Sequence, residues 1–322
     1  MITIDGSHRE GGGQIIRTAL TLSALTGKPF EIDNIRANRP NPGLQPQHLM
    51  AVKAARSVCR GTMEGAEVGS STLKFNPVNI IGGKYDFNIG TAGSVTLVAQ
   101  TILPLLLHAK KESKVRIIGG THVMKSPGYD YFEKVFIPAV KQLGAKVESK
   151  MIRAGFYPKG GGDIELLVKP SQLRGCSTWL SASFGAMIVV GSLEPIIAIR
   201  EKKVFMQHDM EKNVFIRNYE TFSPGNAVTA WRGFNGAYAL GEKGKRAEVV
   251  AQEAIDELKK QTAEVDRHLA DQLLLYAVLA EGETSFTTSE ITEHLKTNAE
   301  IISLFSDRQL FIDETEKRVT IK

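Results

Sequence analysis

The chain has 322 residues, of which 42% are hydrophobic and 23% charged, a composition typical of a globular protein with one large core or two domains. Lysine and arginine exceed aspartate and glutamate by five, so an anionic partner such as RNA or a nucleotide is permitted but not required. The N-terminus lacks an apolar signal segment, and the longest apolar run, residues 95–109, is too short and too interrupted to span a bilayer. Cys59 and Cys176 have no metal or redox spacing, so we expect a cytoplasmic protein that neither enters nor crosses a membrane.

The first third of the chain alternates short apolar strands with amphipathic helices. Residues 14–25 predict a helix that ends at Gly27, and the strand FEIDNI follows it. Residues 47–60 predict a second helix, and the segments AEVGSS and TLKFNP (66–77) predict a closing hairpin. The predicted order of elements is therefore helix, strand, helix and hairpin.

The same order recurs about 80 residues later. The strand DFNIG precedes a predicted helix at 94–109, and KVRIIGG is the next predicted strand. Residues 129–144 predict the second helix, and residues 145–170 predict the hairpin. Similar blocks at a fixed spacing indicate a repeated supersecondary unit.

A third copy follows after an interruption. Residues 268–282 predict a first helix, 284–290 a strand, 293–305 a second helix and 310–322 a hairpin. The interrupting segment has its own predicted strands around residues 187–203 and its own helix, AEVVAQEAIDELKKQ, between polar linkers.

We therefore predict an α/β fold of the α+β type. A large domain, residues 1–175 and 263–322, would contain three βαβαββ repeats. A smaller α/β domain, residues 176–262, would be inserted into the third repeat.

The opening motif REGGGQIIRTAL places three glycines against the start of the first helix. Backbone N–H groups at a helix N-terminus can bind phosphate, and Glu10 and Arg17 could supply a cation ligand and a counter-charge. The alternative is a tight turn without a ligand, since neither a Walker loop nor a dinucleotide fingerprint is present. Arg36, Arg39, Gln47 and His48 lie in the following proline-braced segment, which is suited to a phosphate but also typical of a solvated loop.

Seven histidines are present, without a zinc-binding pair or cluster spacing, and no GxSxG motif indicates acyl hydrolysis. His294 lies in EHLKTN at the start of a predicted helix, where a histidine is commonly a capping or surface residue. Thr297 and Asn298 add polar groups that could orient its ring. An imidazole held in this way is a competent nucleophile toward phosphorus.

Six segments in order carry a family pattern: REGGGQIIR, IRANRPNPGLQPQHL, FNIGTAGSVTLVAQT, GFYPKGGG, HLADQLLLYA and HLKTN. Together they closely resemble the RNA 3′-terminal phosphate cyclase family from about residue 3 to the C-terminus, with the insert least alike. The resemblance implies three βαβαββ repeats related to the enolpyruvyl transferases, with an inserted small α/β domain.

The resemblance also implies a reaction. The histidine at position 294 would attack the α-phosphate of ATP, release pyrophosphate and carry AMP. AMP would pass to the 3′-phosphate of RNA, and the vicinal 2′-hydroxyl would then close a 2′,3′-cyclic phosphate and release AMP. The implied partners are ATP and an RNA with a 3′-terminal phosphate, and a homodimer is possible.

The same resemblance assigns binding roles residue by residue. Glu10 would hold a divalent cation, magnesium or manganese, on the ATP phosphates. The expected adenosine contacts are Gln100, Pro127, His268, Leu269, Ala270, Asp271 and Gln272, and His268 stands where relatives have tyrosine. The expected phosphate contacts are Arg17, Arg36, Arg39, Gln47 and His48.

Two other functions remain possible for this pattern. An enolpyruvyl transferase would use a related fold, but such enzymes have two three-repeat domains and no need for His294. A catalytically silent relative that acts in ribosome maturation would lack the nucleophilic histidine. Retention of label from α-labelled ATP separates both from a cyclase.

Overall fold

A computed structural model describes residues 1–208 and 213–322. The first repeat consists of β1 (Ile2–Asp5), α1 (Gly13–Thr26), β2 (Phe30–Asp33), α2 (Pro46–Cys59), β3 (Thr62–Glu64) and β4 (Leu73–Asn76). Its sheet has the order β1-β2-β4-β3, with β1 and β2 parallel and the other pairs antiparallel. The predicted hairpin was misplaced, because residues 66–71 are not a strand. Gly65 and Gly69 adopt positive φ there, and the intervening segment forms the turn.

The second repeat has the same plan. It contains β5 (Lys84–Asn88), α3 (Val95–Leu107), β6 (Ser113–Gly119), α4 (Tyr129–Tyr131), a π-helical segment (Phe132–Phe136), α5 (Ile137–Gln142), β7 (Lys146–Arg153) and β8 (Gly162–Lys169). The sheet order β5-β6-β8-β7 matches that of the first repeat position by position. The predicted second helix is therefore present, with a widened π-helical stretch inside it.

The inserted segment forms β9 (Phe184–Gly191), α6 (Ile196–Met206), β10 (Val214–Tyr219), β11 (Gly225–Arg232), β12 (Asn235–Leu240) and α7 (Ala247–Lys260). Its sheet has the order β10-β9-β11-β12. The strand prediction around 187–203 was correct only up to Gly191. The buried residues Ala198, Val204 and Phe205 recur at helical spacing in the second half, which is α6.

The third repeat contains α8 (Arg267–Leu279), β13 (Thr284–Thr287), α9 (Glu293–Ser303), β14 (Leu310–Asp313) and β15 (Arg318–Ile321). Its sheet order, β13-β15-β14, is that of the other repeats without the first strand. A single bridge from Val265 to Thr288 occupies the position of that strand. The polar linker that ends the insert has Val265 as its one large apolar residue, so the repeat lacks a full first strand.

The core joins the repeats through their helices. Helix α1 packs against α2, α3 and α9, and α8 packs against α9. Strand β9 is buried on both faces. Ala186, Ile188 and Val190 pack with α6 and α7, whereas Met187 and Val189 belong to the main core. The division into domains at residues 176 and 262 stays a prediction.

Within residues 1–208 and 213–322, no helix combines the length and the apolar character that crossing a bilayer requires.

Candidate active site

The N-terminus of α1 is open. Its N-cap residue, Gly12, has extended backbone angles, and among residues 1–208 and 213–322 no side chain caps the first turn. Gly11 has φ 55°, a left-handed conformation suited to glycine. A Cβ on Gly13 would lie 2.3 Å from Nε2 of His48 and 3.3 Å from Nη1 of Arg17. The glycines thus bring an imidazole and a guanidinium against a helix start that lacks a side-chain cap within the described residues, an arrangement suited to binding an anion.

Glu10 and His294 meet at this helix start, although 284 residues separate them in sequence. Oε2 of Glu10 lies 2.6 Å from Nδ1 of His294 and 3.5 Å from Nη2 of Arg39. In the part of the chain that the structure describes, this buried oxygen accepts no well-aligned hydrogen bond. The oxygen faces two nitrogen donors at imperfect geometry, and a carboxylate in this setting keeps lone pairs that a cation can use.

His294 is the second residue of α9. The N-cap Thr292 accepts a hydrogen bond from Leu295 N at 3.1 Å, so the first turn is fixed. Burial lowers the pKa of His294, an effect that Arg17 and Arg39 reinforce and Glu10 opposes. These effects favour the neutral form of the ring. With the Nδ1 proton facing the Glu10 carboxylate, the lone pair of Nε2 is left as the nucleophile.

Gln47 and His48 lie in the first turn of α2. His48 Nδ1 accepts a hydrogen bond from Gln45 N at 3.2 Å, within a capping box. Burial lowers the pKa of His48 to about 3, with Arg17 and Arg36 contributing in the same direction. The ring is therefore a neutral hydrogen-bonding group. Gln47 Oε1 accepts from Ser94 N at 3.0 Å, which ties α2 to the start of α3.

The structure separates the two loop arginines. Arg39 faces Glu10 and thereby joins the site. Arg36 has φ 55° and donates from Nη1 to the carbonyl oxygens of Asn41 and Gly43. Arg36 thus braces the loop with Nη1. Its other N–H groups and its charge are the parts that could still contact a phosphate.

Arg17 and Asp271 face a cavity of about 50 Å³. Burial lowers the pKa of Arg17 to about 10 and raises the pKa of Asp271 to about 7, and their mutual attraction opposes both shifts. Asn298 Nδ2 donates to Asp271 Oδ2 at 3.3 Å. A cavity of this volume can hold water but not an adenine ring.

Of the residues expected around adenosine, Gln100, Gln272 and His268 are connected by hydrogen bonds. Gln100 Nε2 donates to Gln272 Oε1 at 2.5 Å, and Gln272 Nε2 donates to the carbonyl oxygen of His268 at 2.5 Å. Leu269 and Ala270 are fully buried, so their side chains pack in the core and cannot contact a nucleotide.

Pro127 lies beside α3. Its carbonyl oxygen accepts a hydrogen bond from Thr96 Oγ1 at 2.8 Å, one helical turn before Gln100. The loop that carries Pro127 is thereby held to the helix that carries Gln100. This places it near the expected adenosine contacts without showing a contact to them.

Asn298 was expected to orient the ring of His294, but its side chain instead accepts from Thr18 Oγ1 and donates to Asp271. Sequence reasoning missed two other residues of this region, Gln14 and Arg9. Gln14 has a buried Nε2 without a hydrogen-bond acceptor in the described residues and lines the cavity. Arg9 was not recognised as the link between the glycine motif and α9.

Arg9 pairs with two carboxylates on α9. Its Nη1 lies 2.8 Å from Glu293, and its Nη2 lies 2.5 Å from Glu300. Its φ of 50° is unfavourable for a side chain larger than glycine. These ion pairs hold the turn that carries Glu10 against the helix that carries His294.

The fold and the site define an α/β protein of repeated units with a histidine–glutamate pair between two helix starts. The model of the family RNA 3′-terminal phosphate cyclase matches residues 8–312. The RNA 3′-terminal phosphate cyclase of Archaeoglobus fulgidus is 41% identical over 313 residues, with 95% of each chain covered. Those of Methanosarcina barkeri and Sulfurisphaera tokodaii are 41% identical (98% of each chain) and 44% identical (95% of this chain, 94% of the other). The chain belongs to the RNA 3′-terminal phosphate cyclase family.

Among solved structures, the chain is similar to the enolpyruvyl transferase NikO from Streptomyces tendae with a TM-score of 0.28 and 10% sequence identity. The similarity covers 100% of this chain and 82% of that one. A likeness this weak assigns neither fold nor activity.

Proposed function

We propose that the protein is an ATP-dependent RNA 3′-terminal phosphate cyclase of the ligase class. It converts the 3′-phosphate of an RNA into a 2′,3′-cyclic phosphodiester through an enzyme–histidine–AMP and an RNA-adenylate. The observation that supports this best is the Glu10–His294 contact of 2.6 Å beside the uncapped start of α1. A nucleophile, an orienting carboxylate and an anion-binding helix end are then in one place.

In the first step, Nε2 of His294 forms a bond to the α-phosphorus of ATP, and the bond from that phosphorus to the pyrophosphate oxygen breaks. Glu10 keeps the ring oriented and favours the positive charge that develops on it. The N–H groups at the start of α1, together with Arg17 and Arg39, bind the phosphate oxygens.

In the second step, an oxygen of the RNA 3′-phosphate bonds to the AMP phosphorus and the phosphorus–nitrogen bond breaks, which restores the neutral ring. In the third step, the 2′-hydroxyl oxygen attacks the 3′-phosphorus, AMP leaves with the electrons of the broken bond, and the hydroxyl proton passes to water. The adjacent hydroxyl needs no further positioning, because proximity alone accelerates such closures by many orders of magnitude.

Glu10 also fits the role of a ligand to a magnesium or manganese ion on the ATP phosphates. Its buried Oε2 has no well-aligned hydrogen bond within the described residues. Across residues 1–208 and 213–322, no cluster of three or more His, Cys, Asp or Glu side chains could hold a metal by itself. The ion would therefore be shared with the phosphates, where it would neutralise charge on the departing pyrophosphate.

The proposal includes the remaining expectations from the sequence. Residues 176–262 form an inserted domain within a large domain of residues 1–175 and 263–322, and the protein acts in the cytoplasm. Its partners are ATP and RNA ending in a 3′-phosphate, and a homodimer is possible.

Incubation with α-labelled ATP tests the proposal. The wild type and a His108→Ala control should retain acid-labile label, since His108 is an exposed residue at the end of α3. His294→Ala should retain none while keeping its unfolding transition, because a methyl group cannot attack phosphorus. Label on His294→Ala would refute the assignment of the nucleophile. No label on the wild type would indicate a silent relative or an enolpyruvyl transferase instead.

A further inference from the structure

The motif GFYPKGGG forms a loop between β7 and β8 that the adenylylation chemistry does not use. Tyr157, in this loop, has 75% of its surface exposed, and Phe222, after β10, has 57% exposed. Exposed aromatic rings that lie together on a surface are suited to binding a ligand.

The two loops are packed against each other. Arg153 Nε donates to Gly161 O at 2.7 Å, and its guanidinium carbon lies 4.4 Å from the centre of the Phe222 ring. Lys159 N donates to Ser223 Oγ at 3.1 Å. A Cβ on Gly161 would lie only 2.2 Å from the Phe222 ring. We call the surface formed by Arg153, Tyr157, Lys159 and Phe222 the Tyr157 shelf.

The charge of the shelf is positive. Neither loop, residues 153–161 or 221–227, contains an acidic residue, although Glu220 directly precedes the second one. Lys159 is exposed, and Arg153 is held over an aromatic ring. Exposed aromatic rings interleaved with basic side chains are the surface to which single-stranded nucleic acid binds, through base stacking and phosphate contacts.

A chain of direct contacts connects the shelf to the proposed active site. The position of a Cβ on Gly160 would be 2.7 Å from Thr91 O, and that of a Cβ on Gly93 would be 3.0 Å from the Cβ of Gln47. Gln47 precedes His48, whose ring lies against Gly13 at the start of α1. The loop that carries Tyr157 therefore packs on the segment 91–93, and that segment packs on the first turn of α2, which borders the proposed active site.

We propose that the Tyr157 shelf binds the RNA strand upstream of its 3′-terminal nucleotide, with a base stacked on Tyr157 and a phosphate beside Lys159. This inference rests on the proposed function, because it names a binding site for the same RNA. The terminal nucleotide is held at the site of chemistry, and the shelf adds affinity only for longer strands.

Equilibrium binding of a fluorescent decaribonucleotide with a 3′-phosphate, without ATP, tests the shelf. Tyr157→Ala should raise Kd about five- to one hundred-fold, and Tyr157→Phe should stay within about two-fold of the wild type, because a ring stacked on a base contributes that much. Phe311→Ala is the matched control, since Phe311 is a half-exposed ring on β14 outside the shelf. Lys159→Ala should reduce the slope of log Kd against log salt by about 0.7.

Two further measurements keep the inference separate from the proposed function. Binding of a nucleoside 3′-monophosphate and self-adenylylation with ATP should both be unchanged in Tyr157→Ala. Equal binding of the decamer by Tyr157→Ala and the wild type would overturn the shelf, as would an equal loss for decamer and mononucleotide. A changed oligomeric state in Tyr157→Ala would also overturn it, by showing a contact between copies. A wild type that binds the decamer through Tyr157 without self-adenylylation would refute the function and retain the shelf.

Discussion

The equivalent first helices of the three repeats differ in how their free N–H groups are satisfied. At α3, Ser94 Oγ accepts a hydrogen bond from Leu97 N at 3.3 Å. At α8, the carboxylate of Asp266 accepts from two backbone N–H groups, each at 2.8 Å. At α1, the N-cap is Gly12, and no side chain in the described part of the chain takes this role.

This difference shows that the first helix of the first repeat is the one whose start is open to a ligand. The open start of α1 is not needed for helix packing, because α3 and α8 occupy the equivalent positions in the other two repeats and their N-termini are capped. A cap generally stabilises a helix by about 1 kcal/mol, and the first repeat forgoes it at α1. The partial positive charge of that end is therefore left for an anion.

The largest expected effect comes from closing this space. Gly13→Ala would place a methyl group 2.3 Å from Nε2 of the buried His48, so the ring must move away from the start of α1. Self-adenylylation should fall about a hundred-fold or more, as measured by single-turnover labelling. Gly83→Ala is the control, because a Cβ there meets no atom within 4 Å. Equal activity of the two variants would mean that the open start is unimportant.

The neutral ring of His48 should make stability depend on pH. Its pKa is about 3 in the folded protein and about 6.5 when unfolded, so the unfolded chain binds the extra proton between these values. Its contribution is fully present above pH 6.5 and is lost as the pH falls toward 3. Between pH 7 and pH 4 the wild type should lose about 3 kcal/mol more unfolding free energy than His48→Gln. Parallel denaturation curves for both proteins across this range would contradict the low pKa.

Glu10 is the charged part of the open start. Glu10→Gln should slow self-adenylylation about thirty-fold, because it removes a cation ligand and the charge that orients His294. Transfer of AMP from preformed enzyme–AMP should suffer less. The check is a quenched time course across a magnesium or manganese titration, with Glu64→Gln on the exposed strand β3 as control. If Glu10→Gln showed unchanged kinetics at all metal concentrations, the role of Glu10 would be structural only.

The smallest effect should come from exchanging the caps. Gly12→Ser gives α1 a cap and displaces the Gln14 amide, so unfolding free energy should rise by a few tenths of a kcal/mol. The apparent KM for ATP should increase about five-fold, because the hydroxyl competes for the same N–H groups. Ser94→Ala should instead lower stability by about 1 kcal/mol. Tighter ATP binding by Gly12→Ser would show that the open end does not bind phosphate.

Much of the fold could be predicted from the sequence because its signals are local. The spacing of apolar residues located α1, α2, α3, α8 and α9, and the glycine Gly27 ended the first helix as expected. The same local signals failed where a turn or linker was the true state. Residues 66–71 alternate like a strand but form a turn, and the linker before α8 reaches the sheet only at Val265.

For the candidate site, the sequence predicted which residues take part better than it predicted where their side chains point. The family pattern named Glu10 and His294, but side-chain direction depends on packing that no motif records. Leu269 and Ala270 lie within a predicted binding segment, yet helical periodicity turns both into the core. Arg36 was predicted to bind phosphate, and the structure directs one of its nitrogens to loop carbonyl oxygens.

The repeat, the open glycine start and the histidine beside a helix start could be predicted from the chain, because each depends on residues close together in it. The 2.6 Å distance from Glu10 Oε2 to His294 Nδ1 and the link that Arg9 makes between the two segments could not. The physical reason is that side chains 284 residues apart meet only when α1 and α9 pack. That packing depends on the buried surface of the whole core rather than on any single motif.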